Sequence, residues 1–341
     1  MVDTDSDYKF NLIIAAMAFF IIGLFFVSFL IGRYSIHPRI VLDIILSNFI
    51  DMKQYWKDDL AVVVTQVRLP RIMLGLLVGG ALSVSGLSYQ TLFKNPMAAP
   101  DILGVSAGAG FGAALAMLYN SNWWQIQLSA FVFGMLAVIT TCLIASIFAE
   151  QAIIVLILAG LVVSSFFQAL LSIVKTLAET DTQLPSITFW LMGSLGKGTN
   201  SSVLFMLPAL GISLATLFVF RHQINALAAG EDVAFTMGVN VSLIKRIIIC
   251  CSTLMTVSAV SICGIIGWVG LVVPHISRIL TGPNYSKTMI TSFLVGSGFL
   301  LIIDNIIRGV KGVELPLGVL TALVGTPVFI LLLSRVKKGW S

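Results

Sequence analysis

The sequence predicts an all-α polytopic membrane protein of about ten transmembrane helices, a single domain over residues 1–341, on three observations. Hydrophobic residues make up 58% of the chain and charged residues only 10%, against about 25% charged in soluble domains. The apolar residues fall into successive runs, each near the ~20 residues that a spanning helix needs. No run shows the alternation over about ten residues that marks a strand of a transmembrane barrel.

In order, the runs are 10–32, 61–92, 101–119, 125–148, 152–175, 188–221, 243–265, 267–281, 287–308 and 316–335. The first follows the largely acidic MVDTDSDYK and is too long for the apolar core of a cleaved signal, so it is expected to remain as a span. The second opens with RLPR and carries Gly75 and Gly79 four residues apart. The third carries Gly104, Gly108 and Gly112 at the same spacing. Small residues every four positions let transmembrane helices approach closely, so this glycine string reads as packing and not as a phosphate loop. The fourth and fifth runs meet at AEQAII, 149–154. The sixth is long and includes a short outer segment. In the eighth, GWVGLVVPHISRILTGP, Pro274 and His275 sit where a proline breaks the hydrogen-bond ladder and a histidine must find a partner. The ninth ends with Asp304 and Arg308, four apart and therefore an intrahelical pair. The tenth is followed by RVKKGW, which points to a cytoplasmic side for both termini. The charge count does not orient the bundle: with both ends inside, the 20 basic residues divide evenly between the two sides.

Several chemistries are excluded or weakened. A P-loop needs GxxxxGK followed by Ser or Thr. The nearest string, Gly193 to Gly198, has the wrong spacing and a glycine in place of the hydroxyl, so ATP hydrolysis must come from another chain. His37, His222 and His275 are scattered, and Cys142, Cys250, Cys251 and Cys263 lie in apolar runs without CxxC spacing. No resident metal or cofactor is expected. Asp101, after Pro100, reads as a helix N-cap. So few intramembrane carboxylates argue against an ion-driven secondary transporter, the rival class. A membrane-embedded enzyme is disfavoured by the lack of any convergent His, Asp and Ser. The longest polar interlude on the inner side, 222–246, accommodates two short helices, 224–229 before Gly230 and 232–237 stopping at Gly238. It suits either an ordinary amphipathic loop or a docking element for a cytoplasmic partner.

Four strings in order resemble the FecCD family of ABC importer permeases: RLPRIMLGLLVGGALSVSG with YQTLFKNPMAAPDILGVSAGA, ALAAGEDVAFTMGVNV, GWVGLVVPHISRILTGP, and ELPLGVLTALVGTPVF. That family serves iron–siderophore, haem and cobalamin uptake, and some relatives carry oxyanions such as molybdate. The resemblance implies the type II ABC importer permease fold in a bacterial or archaeal cytoplasmic membrane. It implies a homodimer, or a heterodimer with a similar chain, with the pathway between the two permeases. Two ATPase subunits holding ATP and magnesium would dock below, and a periplasmic or lipid-anchored binding protein above; nucleic acid has no place in the scheme. It assigns ATPase coupling to Ala229, Gly230, Glu231, Asp232, Met237 and Gly238. It assigns binding-protein docking to Arg68 and Arg308, with Arg71 bracing the helix end. It places a hydrophobic gate at Ala152, Ile153 and Ile154, pathway polarity at Ser164, Ser165 and Gln168, and a helix break at Pro274 and His275. Ferric siderophore is the first expected cargo, then haem or cobalamin.

Overall fold

A computed structural model describes residues 4–32, 34, 36–47, 50, 54–148, 153–310 and 315–336, and every regular element among them is helical. In chain order the elements are α1 (Thr4–Ser28), α2 (Pro38–Leu46), α3 (Asp58–Val62), a π-helical turn (Val63–Arg68), α4 (Leu69–Leu92), α5 (Val105–Leu118), α6 (Trp123–Ile147), α7 (Ile153–Leu177) and α8 (Gln183–Leu191). There follow α9 (Asn200–Val219), α10 (Arg221–Ala229), α11 (Glu231–Thr236), α12 (Val241–Cys263), α13 (Val269–Thr281), α14 (Tyr285–Gly309) and α15 (Leu317–Val336).

Seven helices among the described residues are long and apolar enough to cross a membrane, and three shorter apolar helices, α5, α13 and α15, complete the ten predicted runs. At 1.5 Å per residue, α5 and α13 are only about 20 Å long. For α5 the reason is local. Residues 93–104 fold back along the bundle before the helix starts, and Gly160 of α7 lies under the Ile102 carbonyl and Leu103. The sixth predicted run is two elements, α8 and α9, parted by the turn around Gly193. Asp58–Leu92 is one continuous helix of 35 residues. Its π turn falls just before Pro70, which has no N–H to offer the preceding turn.

The bundle is ordered from the inside out by burial. In α4, 89% of the most apolar window is covered by other helices, against 0% in α1. Three side-chain bonds knit α4 to α12 and α14: Ser85 with Thr256 at 2.7 Å, Ser88 with Tyr285 at 2.7 Å and Tyr89 with Thr253 at 2.9 Å. Without a hydrophobic driving force between helices in lipid, such bonds and close backbone approach do the holding. At Gly86 of α4, a Cβ would stand 1.8 Å from the Gly270 carbonyl oxygen of α13. Gly86→Ala is therefore expected to abolish folded protein, seen as loss of a monodisperse peak after detergent extraction. Gly211→Ala, where nothing lies within 4 Å, should leave yield unchanged.

The two ends of the bundle differ. One end, called lower here, carries α10 and α11; the start of α14 lies there too, tied to α1 by Lys287 and Asp7 at 2.7 Å. The upper end carries α2 and the π turn.

Candidate functional site

At the lower end the two short helices are held as one unit. Asn225 of α10 donates to Asn284 and Ser286 at 3.1 and 3.2 Å and accepts from the Tyr285 amide at 2.6 Å, fixing α10 to the turn between α13 and α14. Gly230 joins α10 to α11 at φ +153° and ψ 150°, a conformation essentially confined to glycine. Glu231 pairs with Lys245 of α12 at 2.7 Å. Gly238, at φ +76°, ends α11. Its amide bonds to the Phe235 carbonyl while the Val239 amide reaches Ala234, the paired pattern that closes a helix at a left-handed glycine. Ile224, Leu227 and Ala234 are buried underneath. Ala229, Asp232 and Met237 are exposed, and so is a residue the sequence reading missed: Phe235, 77% accessible between Val233 and Met237. An apolar run inside a short helix carries no periodicity that tells its inner from its outer face.

Pro274 lies inside α13. Neither His275 nor Arg278 turns back to the carbonyls near the break. His275 Nε2 lies 3.2 Å from the Pro96 carbonyl, on the segment that follows α4. The carbonyl satisfied near the break is that of Leu271, by Gln90 of α4 at 3.2 Å; Arg278 in turn donates to Gln90 at 2.6 Å.

At the upper end, Arg68 and Arg308, expected on an exposed docking face, are instead largely buried. Arg68 is 5% accessible and donates to the Phe29 and Tyr34 carbonyls. Arg308 donates to the Ser28 and Ile31 carbonyls at 2.9 and 3.2 Å and to Asn305. The chain leaving α1 presents bare carbonyls there, and guanidinium forks satisfy them. Asp304, fully buried, pairs with Arg308 at 2.9 Å as its spacing predicts, and also with Arg71 of α4 at 2.8 Å. The sequence marks Arg71 only as a helix brace; its carboxylate partner is visible only in the fold. Two guanidiniums thus share one carboxylate, and both line, with Arg68, a cavity of about 330 Å³ whose walls include Gly32, Tyr34, Val63 and Val67.

A third region lies along α7, which is covered on one stripe only, Ala159, Gly160, Val163, Phe167 and Val174. Ser164 and Gln168 line a cavity of about 440 Å³ with Asp101, Ser106, Ser172 and Lys175. Ser165, on the neighbouring face, does not line it; its hydroxyl returns to the Leu161 carbonyl at 2.9 Å. Ile153 and Ile154 form the first turn of α7, Ile154 being 68% accessible; Ala152 lies outside the described residues. Asp101 does not cap α5: the capping position is Gly104, at φ +88°, whose amide bonds to the Asp101 carbonyl at 2.8 Å. Leu191 and Ile265 are shared with a second, apolar cavity of about 720 Å³ lined by Trp268, Gly318 and Leu323. Trp268, at φ +71°, is one of three non-glycine residues at positive φ among the described residues and packs over Gly325 and Phe329.

Likeness to known proteins gives the class of this membrane bundle with its braced helix pair: the permease subunit of an ABC transporter, a transport component and not itself an enzyme. The chain belongs to the FecCD transport family, whose profile matches residues 19–335. It is 35% identical over 277 residues to the molybdate import system permease protein MolB of Haemophilus influenzae, covering 81% of this chain and 82% of the relative. It is 34% identical over 281 residues to a Helicobacter pylori permease protein named for iron chelatin transport, at 82% and 85% coverage. Other relatives, from Halobacterium salinarum and Yersinia pestis, are named for cobalamin import and hemin transport. Among solved structures, one described as an inward-facing conformation of a metal-chelate type ABC transporter superposes with a TM-score of 0.84 at 32% identity, covering 95% of this chain and 99% of the other. Membership in the family places the chain in the cytoplasmic membrane and implies ATPase and substrate-binding partners.

Proposed function

We propose that this permease imports a metal complex, a ferric siderophore or haem, by alternating access. It works as half of a homodimer with two ATPase subunits below and a periplasmic or lipid-anchored binding protein above. Both termini are cytoplasmic, and ATP and magnesium sit on the ATPases, with no cofactor on this chain. The observation that supports the cargo is size. Cavities of about 440 and 720 Å³ share Leu191 and Ile265 as a common wall, room suited to a ligand of drug size or larger. The α10–α11 pair is the coupling element, carrying the displacement of the closing ATPase dimer into the bundle through α12 and α14. The resemblance to MolB supports a second reading, an oxyanion importer; cobalamin is a third, within the same family.

Affinity capture of the tagged chain from its native membranes, with mass spectrometry of stoichiometric partners, tests the reading. A P-loop ATPase at one per permease, together with a binding protein whose ligand is a metal complex, supports it. A chain that comes out alone and transports in vesicles without ATP overturns it.

The upper basic cavity is the docking point for the binding protein, with an acidic side chain of that partner meeting the excess charge of Arg68, Arg71 and Arg308. Charge complementarity of this kind acts mainly on encounter. The association rate of the captured binding protein with the purified transporter should fall about tenfold or more as salt is raised from low to several hundred millimolar. Interferometry on the immobilised complex measures it.

A further inference from the structure

The cavity along α7 carries charge as well as polarity, and this bears on cargo; the inference rests on the reading of that cavity as pathway. Ser164, Gln168 and Ser172 recur every four residues and Lys175 follows three later, so the four share one helix face. Asp101 lies opposite the lower part of this row. Its segment abuts α7 at Ser164, whose hydroxyl oxygen would be 3.2 Å from a Cβ placed on Gly104. Lys175 stands eleven residues above Ser164, about 16 Å along the helix. Asp101 and Lys175 are the charged residues among those lining the cavity. Neither belongs to any salt bridge among the described residues. Asp101 is exposed to the cavity and Lys175 half-buried at its rim. Unpaired charges at membrane depth are tolerated where they face a water-filled space.

We infer that this cavity is charge-graded, cationic at its upper end through Lys175 and anionic at its lower end through Asp101. Its substrate class is therefore a bulky polar complex, neutral overall or bearing both signs of charge. A small oxyanion attracted at the top meets a carboxylate on the way down, and a second one where a symmetric partner contributes its own Asp101. A large complex spans both charges at once and presents hydrogen-bonding groups to Ser164, Gln168 and Ser172.

The test uses Ser164→Cys and Ser172→Cys in the assembled transporter in membrane vesicles, with labelling counted above that of the parent chain. Two reagents of similar size are compared, a cationic trimethylammonioethyl and an anionic sulfonatoethyl methanethiosulfonate, each rate divided by that for a free thiol. The cysteine at 164 should prefer the cation by roughly fivefold to tenfold, and the cysteine at 172 the anion, as expected for a unit charge several ångströms away. Asp101→Asn should erase the first preference and Lys175→Gln the second, while Asp101→Glu keeps it. Molybdate at 1 mM should not protect position 164. Labelling without charge preference, preferences indifferent to Asp101→Asn, or protection by molybdate would overturn the inference and leave the pathway reading standing. If neither cysteine reacts with either water-soluble reagent while a membrane-permeant maleimide labels both, α7 faces lipid and both readings fall.

Discussion

Replacing Asp304 with alanine is expected to destabilise the chain by about 3–5 kcal/mol, the usual result of removing one member of a buried ion pair. Asp304 has no accessible side-chain surface and is shared by Arg71 on α4 and Arg308 on its own helix. Alanine leaves two guanidiniums facing each other and Arg68 with no carboxylate between them. The adjoining cavity gives water access to Arg71, 20% accessible, more than to Arg308, 7% accessible, so Arg308 carries most of the cost. Thermal unfolding of the purified chain measures the effect. Asp304→Asn keeps one acceptor oxygen but sets its amide NH2, a donor, against the other arginine, and should fall between wild type and alanine. Arg71→Met should cost less than either, because Arg308 retains its partner. The same series separates two functions. As a structural bridge, Asp304→Asn protein that folds keeps ATP-driven transport. If the asparagine variant were as stable as wild type yet lost all transport, Asp304 would be an ion-coupling residue.

How much of this was legible in the sequence depended on range. Run lengths gave ten apolar elements, but they could not show that residues 93–104 re-enter the bundle, because hydropathy has no depth coordinate. The spacing of Asp304 and Arg308 revealed an i,i+4 pair. The second partner, Arg71, is 233 residues away in the chain, and nothing in local pattern points to it. Asp101 after a proline looks like a cap, yet a left-handed Gly104 took that role and left the carboxylate facing a cavity. Arg68 and Arg308 sit at the right end of the bundle for a basic docking site. Their side chains turn inward because the chain after α1 leaves carbonyls at Ser28, Phe29, Ile31 and Tyr34 that need donors. The α10–α11 pair was the most readable local structure, since Gly230 and Gly238 are punctuation that helices obey.

If the α10–α11 pair couples to the ATPase as proposed, it carries the largest functional effect expected. Phe235→Asp should reduce ATP-driven uptake by tenfold or more and remove the ATPase from the purified complex, while the melting temperature of the isolated permease stays within about two degrees. The ring is 77% accessible, flanked by Met237 at 67% and Val233 at 44%. A cluster of three large apolar side chains at a water-facing end marks a surface meant to be covered. Beneath it the backbone is fixed by the Glu231–Lys245 bridge, the Asn225 bonds and the turn at Gly238. A rigid aromatic knob on a braced helix has the character of an interface anchor, where truncation costs about 2 kcal/mol or more, a loss of roughly thirtyfold in affinity. Phe235→Ala should therefore weaken ATPase retention without the added repulsion of the carboxylate, and Phe235→Leu should largely rescue it. Because the side chain is 77% accessible in the free chain, a fall in stability would point to a different role. Full retention of the ATPase by Phe235→Asp, with transport intact, would remove α11 from the coupling path and leave the ATPase contact to be sought on α10 and the Gly282–Asn284 turn.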